Sequence, residues 1–225
     1  MEPLDATYPA NLRTLAGAPP LFLRGELRPE DTRSVAVVGT RSPSRKGLTQ
    51  ARRLAGELAR AGITVVSGLA RGIDTAAHLA ALDAGGRSVA VLGCGVGRVY
   101  PSENAGLAER IALHGAVVAQ VADEAPPSAA ALRKRNAVIA GLALATVVVE
   151  AGPISGARIA ARWTTTLGRP LFLTDLVAAE PWGAKLLSRP GVHRLGAGGP
   201  EAIIALLAGD PIAPVQLALL LAAPA

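Results

Sequence analysis

Four short segments combine glycines, hydroxyls and cations in the way that anion-binding loops do. The first, GTRSPSRKG at 39–47, follows an apolar run and precedes a segment with helical spacing. Backbone N–H groups at a helix N-terminus, with an arginine beside them, suit a phosphate. We therefore take this loop as a candidate phosphate contact. The alternative is a capped, solvated turn without a ligand.

The second segment, SGLARGIDTAAH at 67–78, places Asp74 and His78 four residues apart on one predicted helix. This spacing could orient an imidazole for acid–base chemistry. We favour a structural interpretation, in which Asp74 is the N-cap and His78 makes a hydrogen bond on the helix surface. The histidines are scattered without metal-ligand spacing, so no metal site is predicted.

The third and fourth segments also precede apolar helices. LRKRNAVIAGL at 132–142 opens with three consecutive cations, which oppose the helix dipole and are tolerated better beside an anion. A solvated charge run explains them equally well. EAGPISGARIAAR at 150–162 places Ser155 and Gly156 at a helix start, as a phosphate cradle or as a simple cap. No nucleophile elbow, P-loop or GxGxxG fingerprint is present, so neither catalytic residues nor a nucleotide cofactor are predicted.

The elements that carry these loops alternate between apolar runs and longer segments with helical spacing. Such runs, separated by helices, predict an α/β fold with a Rossmann-like, doubly wound, mainly parallel sheet and helices on both faces. Ligands bind beyond the carboxyl ends of such strands, where the four loops lie. A crossover helix is predicted over about 45–61. The predicted strands are 34–39, 63–68, 88–93, 116–120, 145–150 and 170–174.

Composition points to a polyanionic partner. The net charge is +6 and the sequence pI is near 10.4, with a local excess of cations between Arg33 and Arg71. The single cysteine, Cys94, cannot form an internal disulfide, and neither a signal peptide nor a membrane-length apolar run is visible. We therefore expect a cytoplasmic protein without membrane contact. We predict a lead-in segment at 1–32, a Rossmann-like DNA-binding domain at 33–208 and a C-terminal tail at 209–225.

The order of the motifs resembles the DprA/Smf family of DNA-processing proteins. These motifs are VAVVGTRSPSRKG, VVSGLARGIDTAAHLAAL, VAVLGCGVGRVYPSEN, KRNAVIAGL and VVVEAGPISGARIAA, and the likeness covers roughly residues 8–175. It implies a homodimer that binds single-stranded DNA, protects incoming strands and helps load the RecA recombinase in natural transformation, without catalysis or cofactor. The residues expected to contact DNA or shape its groove are Gly39, Thr40, Arg41, Ser42, Ser44, Arg45, Lys46, Ser67, Gly68, Arg71, Gly72, Lys134, Arg135, Asn136, Ser155 and Gly156.

The second half of the chain departs from the family pattern. Leu132-Arg133 stands where the family usually has Phe-Pro, and Ala137 replaces the arginine after the Arg-Asn pair. No complete C-terminal winged helix is visible, so we expect a core-only or trimmed form. The alternatives are a nucleotide-binding or nucleotide-hydrolysing protein of the LOG (lysine decarboxylase-like) type, whose catalytic motif is absent, and a nucleotide-signal sensor or interaction module. Because aromatic residues are scarce, we expect phosphate contacts rather than base stacking.

Overall fold

The sheet of this protein is mixed but mainly parallel. The computed structural model describes residues 1–2, 7–13, 17–196 and 199–208. The strands of this described part form one sheet in the order β1-β5-β4-β3-β2-β6-β7-β8, in which only the β1–β5 pairing is antiparallel. They are β1 (Phe22–Gly25), β2 (Ser34–Val38), β3 (Thr64–Ser67), β4 (Ser88–Leu92), β5 (Gly115–Ala119), β6 (Ala145–Val148), β7 (Leu171–Thr174) and β8 (Val192–Leu195).

Helices cover both faces of the sheet, which confirms the predicted Rossmann-like fold. Two short 3₁₀ helices, Pro29–Thr32 and Ser102–Asn104, lie in connections. The predicted crossover helix over 45–61 is confirmed as α2. The helices are α1 (Ala10–Arg13), α2 (Arg45–Arg60), α3 (Ile73–Asp83), α4 (Ala105–His114), α5 (Ala129–Leu142), α6 (Ala157–Thr166), α7 (Asp175–Ala178), α8 (Pro181–Leu187) and α9 (Gly199–Leu207).

The strands from β2 to β7 are buried throughout and largely apolar because each of their two faces meets a helix layer. In β2, Val35 and Val37 pack with α2, α3 and α9, whereas Ala36 and Val38 pack with α5 and α6. Successive side chains of a strand point to opposite faces, so both sets must be hydrophobic. All six predicted strands are present. The alternation of apolar runs with helical segments in the sequence was sufficient to identify them. The predictions did not include β1 or β8.

Two predicted helix starts are wrong. Asp74 is not the N-cap of α3, because that position belongs to Gly72, with φ +79°. A Cβ at Gly72 would lie 2.4 Å from the carbonyl oxygen of Thr40, so this close approach requires glycine. The N-cap of α5 is Ser128, whose Oγ accepts a hydrogen bond from Ala131 N at 3.1 Å. The three cations therefore lie inside α5 rather than at its N-terminus.

Part of the predicted lead-in segment is integrated into the core. Its strand β1 extends the sheet, and Tyr8 and Leu12 are buried under α5. The Tyr8 hydroxyl donates a hydrogen bond to Pro19 O at 2.7 Å. The boundaries of the segment at 1–32 and the domain at 33–208 stay predictions, and the tail at 209–225 lies outside the described residues. Within the described residues, no helix has the length and apolarity needed to cross a membrane.

Candidate functional site

A cavity of the described structure lies at the point where the strand order reverses. Strand β2 pairs with β3 on one side and with β6 on the other. The strands β3 to β5 therefore extend the sheet in one direction from β2, and β6 to β8 extend it in the other. Open α/β sheets bind ligands in the crevice beyond the strand ends at such a point. Here the loop after β2, the loop after β6 and one face of α5 enclose about 480 Å³. We call this volume the switch-point cavity.

Three arginines give the switch-point cavity its charge. Arg41, in the loop after β2, and Arg133, on α5, are exposed and form no ion pair among the described residues. Arg135 lies at the floor and is 6% exposed. Of the described residues that line the cavity, only Asp74 is acidic. The concave surface is therefore positive and open to solvent, which suits a polyanion.

The register of α5 decides which of its cations face the cavity. Leu132, Arg135, Asn136 and Ile139 line it, at the i, i+3, i+4 and i+7 positions that share one helix face. Lys134 lies about 200° around the helix from Leu132, and it does not line the cavity. The resemblance assigned the groove to Lys134, Arg135 and Asn136. In the structure Arg135 and Asn136 line the cavity, and its exposed cation on α5 is Arg133 instead of Lys134.

Arg135 ties α5 to the ends of two strands. Its guanidinium donates hydrogen bonds to the carbonyl oxygens of Gly68 and Val91, the latter at 2.9 Å. A Cβ on Gly68 would lie 1.6 Å from Arg135 Nη1, so glycine is required for this contact. Arg135 Nε has no hydrogen-bond partner among the described residues. The residue is therefore a structural element of the cavity floor with one unsatisfied donor.

Burial dominates the electrostatics beneath the floor. The Arg135 Nη2 and Asp74 Oδ2 atoms are 3.9 Å apart. Burial raises the pKa of Asp74, and the attraction of Arg135 opposes that change only in part. Burial likewise lowers the pKa of Arg135, with Asp74 acting in the opposite direction. A guanidinium stays protonated in proteins, so the floor keeps a positive charge that its carboxyl neighbour compensates incompletely.

His78 does not act on the cavity. Its Nδ1 lies 2.7 Å from Ser88 Oγ, which itself donates to Val65 O at 2.9 Å. Nδ1 therefore carries the proton, and Nε2 is buried without a partner among the described residues. Burial, reinforced by the charge of Arg135, lowers the pKa of His78 to about 3. The imidazole bonds a serine on the sheet, so the structure has neither the Asp74–His78 pairing of the acid–base alternative nor the predicted hydrogen bond on the helix surface.

The N-terminus of α2 is occupied by a carboxylate of the protein itself. Glu150 accepts hydrogen bonds from the backbone N–H of Ser44 at 3.0 Å and from its hydroxyl at 2.9 Å. Ser44 Oγ in turn accepts from Gly47 N at 3.0 Å. At this helix end the structure has the capped turn that was the alternative to a phosphate contact. Glu150 lies two residues after the end of β6, and that position after a buried strand was the signal that the sequence offered.

A small second cavity of about 30 Å³ adjoins the first and shares with it the lining residues Arg41, Ala70, Leu132 and Arg135. We call it the side cavity. Arg71 lines it, but this arginine is engaged by Glu103 through two hydrogen bonds, one of them from Nη2 to Oε2 at 2.9 Å. Its charge is thereby compensated. The tyrosine Tyr100 forms another part of the wall and is 45% exposed.

The predicted contact residues fall into three groups, and their contact with DNA stays a prediction. The sequence reasoning did not single out Arg133, Glu150, Tyr100 or Glu103. Gly39, Thr40, Arg41, Arg135, Asn136, Ser155 and Gly156 line the switch-point cavity. Gly68 and Arg71 line the side cavity, together with Arg41 and Arg135. Ser42, Ser44, Arg45, Lys46, Ser67, Gly72 and Lys134 line neither of these two cavities.

The family model and the curated relatives that match this chain agree on one family. Residues 1–190 match the family model described as DNA recombination-mediator protein A. A Synechocystis relative named Protein Smf is 37% identical over 177 residues, which are 76% of this chain and 44% of the relative. The match therefore spans less than half the length of that protein.

Two solved structures share the fold over most of the chain. DNA processing protein A from Streptococcus pneumoniae has a TM-score of 0.76 at 34% identity, covering 85% of this chain and 68% of its own. The corresponding protein from Helicobacter pylori has a TM-score of 0.80 at 25% identity, covering 93% and 99%. The Helicobacter pylori structure is described as giving insight into the unique single-stranded DNA binding mode of that protein.

Proposed function

Because the chain belongs to the DNA recombination-mediator protein A (DprA/Smf) family, as its motif order predicts, we propose that it binds single-stranded DNA through the switch-point cavity. The observation that supports this most directly is the pairing of Arg41 and Arg133 across one open, concave surface. Each comes from a different element, and neither is compensated by a carboxylate among the described residues. Two such cations can follow a phosphate backbone.

We expect recognition of the backbone rather than of base sequence. The cations that line the cavity lie on a strand-end loop and on one half-buried helix, where they can contact phosphates, and phosphate contacts carry no sequence information. Arg135 contributes fixed positive charge from below, with Nε as an unsatisfied donor. Binding should therefore be salt-dependent, with single strands favoured over duplex.

A binding experiment with three ligands tests the proposal. Fluorescence anisotropy with a labelled single-stranded oligonucleotide and a blunt duplex of matched length should show tighter binding of the single strand. Calorimetry with free nucleotides should show no comparable affinity. Equal or tighter duplex binding would contradict the proposal. Tight nucleotide binding in place of DNA binding would favour the LOG-type or nucleotide-sensor alternative.

The cavity offers little support for nucleotide hydrolysis. Asp74 is buried, and His78 is fully buried and faces Ser88. His78 cannot reach a ligand in the cavity without rearrangement of α3, and Asp74, which lines the cavity, faces Arg135 rather than a second acid–base group. We therefore propose binding without turnover. Hydrolysis that copurifies with the protein and disappears in Asp74→Asn would contradict this.

The remaining functions rest on the family resemblance. We propose that the chain forms a homodimer in the cytoplasm, protects incoming single strands and helps load a RecA recombinase during natural transformation. A monomeric mass in sedimentation experiments at tens of micromolar would contradict the dimer. Failure to stimulate RecA filament formation on single strands coated with a competing binding protein would contradict the loading role.

A further inference from the structure

The most exposed aromatic side chain of the described residues stands beside the arginines of the proposed DNA site. Tyr100 is 45% exposed, compared with 37% for Phe22 and 36% for Trp163, while Tyr8 and Phe172 are buried. Single exposed rings are common on protein surfaces, so it is the position of Tyr100 beside the arginines that points to a partner. Tyr100 lines the side cavity together with Arg41, which also lines the switch-point cavity.

The loop that carries Tyr100 is held firmly while its ring is left outside. Pro101 is buried next to it. Three residues further on, the Asn104 side-chain amide donates to Leu69 O and to Thr75 Oγ1, both at 2.9 Å. The ring is thus presented on a fixed support at the edge of an arginine-lined groove. A preorganised aromatic surface of this kind loses little entropy when a planar group stacks on it.

We propose that Tyr100 is a stacking platform for one base of the bound strand, next to the nucleotide whose phosphate contacts Arg41. The inference rests on the proposed function and adds a base contact to a site otherwise built for phosphates. The side cavity, at about 30 Å³, has room for about one water molecule and cannot hold a base. The base must therefore lie over the outward surface of the ring. Such a contact is tolerant of sequence, because every base has a π-face.

The test separates base contacts from phosphate contacts. One oligonucleotide carries normal bases, and a second of equal length carries abasic sugars with the same phosphates. Tyr100→Ala should weaken binding of the normal strand by about fivefold or more. It should leave binding of the abasic strand and the salt dependence unchanged, because no cation is lost. Tyr100→Phe should bind like the wild type, since the ring remains.

Two controls keep the outcome interpretable. Trp163 is an exposed ring on α6 that lines neither cavity. Trp163→Ala should therefore not change the difference in affinity between the normal and the abasic strand. Tyr100→Leu keeps an apolar side chain on the loop but no ring. It replaces Tyr100→Ala in the experiment if the alanine variant folds poorly, and it should show the same selective loss on the normal strand. Equal losses on normal and abasic strands, or no loss on either, would overturn the stacking role. If Arg41→Ala still weakens binding in that case, the proposed function stands; if the wild type binds neither strand, the proposed function itself fails.

Discussion

The cation assignment on α5 can be tested with two neighbouring residues. Arg133 lines the switch-point cavity and Lys134 does not, although both are exposed and each loses one positive charge on substitution by alanine. A protein that releases one counterion per contacted phosphate has a logarithmic salt slope of about −0.7 per contact on single strands. Arg133→Ala should therefore flatten the slope by about 0.7, and Lys134→Ala by less than about half of that.

The expected difference is large enough to measure. The salt concentration rises fourfold between about 50 and 200 mM. Over that range, a variant that has lost one contact should lose about 2.6-fold less affinity than the wild type. Arg41→Ala should flatten the slope by the same amount as Arg133→Ala, and the double variant by about 1.4 in total. Fluorescence anisotropy of a labelled oligothymidylate over a salt series gives each slope. Arg135→Ala is unsuitable, because its guanidinium supports the ends of β3 and β4.

One result would refute this reasoning. If Lys134→Ala flattens the slope as much as Arg133→Ala, the strand follows the surface charge of α5 rather than the face that lines the cavity. Diffuse attraction would then account for binding. Arg52→Ala on the exposed side of α2 offers a second comparison at a distance from the cavity.

Three further outcomes follow from contacts around the site. Glu103→Gln should tighten single-strand binding and steepen the salt slope by up to about 0.7, because it frees Arg71 from its ion pair. Arg71→Ala alone should change the slope little, and unchanged binding by E103Q would contradict this. Since the pKa of His78 falls to about 3 on folding, the unfolded chain binds the extra proton on acidification, and stability is lost as pH falls below about 6.5. As the pH falls, the free energy of unfolding of the wild type should decrease more steeply than that of His78→Gln, by about 1 kcal/mol per pH unit. Urea unfolding at a series of pH values measures both, and parallel pH profiles would rule this out. Gly68→Ala should lower the free energy of unfolding by about 1–3 kcal/mol because its Cβ meets a buried guanidinium, while Gly106→Ala, whose Cβ meets nothing within 4 Å, should not lower it.

The sequence alone determined the layered architecture and the family. Near-continuous apolar runs such as 34–39 and 145–149 indicate strands buried on both faces, because a sheet covered by helices on two sides buries both sets of side chains. The loops that follow β2 and β6 were also predictable, because parallel strands bring their carboxyl ends to one edge. Gly39, Arg41 and Gly156 were located in this way.

Only the tertiary structure decided how the charges of the site are used. The cluster at 133–135 shows three cations in a row, but the start of α5 at Ala129 sets which of them faces the cavity and which is buried. The partners of the ionisable groups are distant in sequence: Glu150 caps α2 over a separation of 106 residues, and Arg135 reaches Gly68 over 67. Local patterns carry no information about such pairs, because they depend on the order of strands in the sheet and on the register of each helix against it.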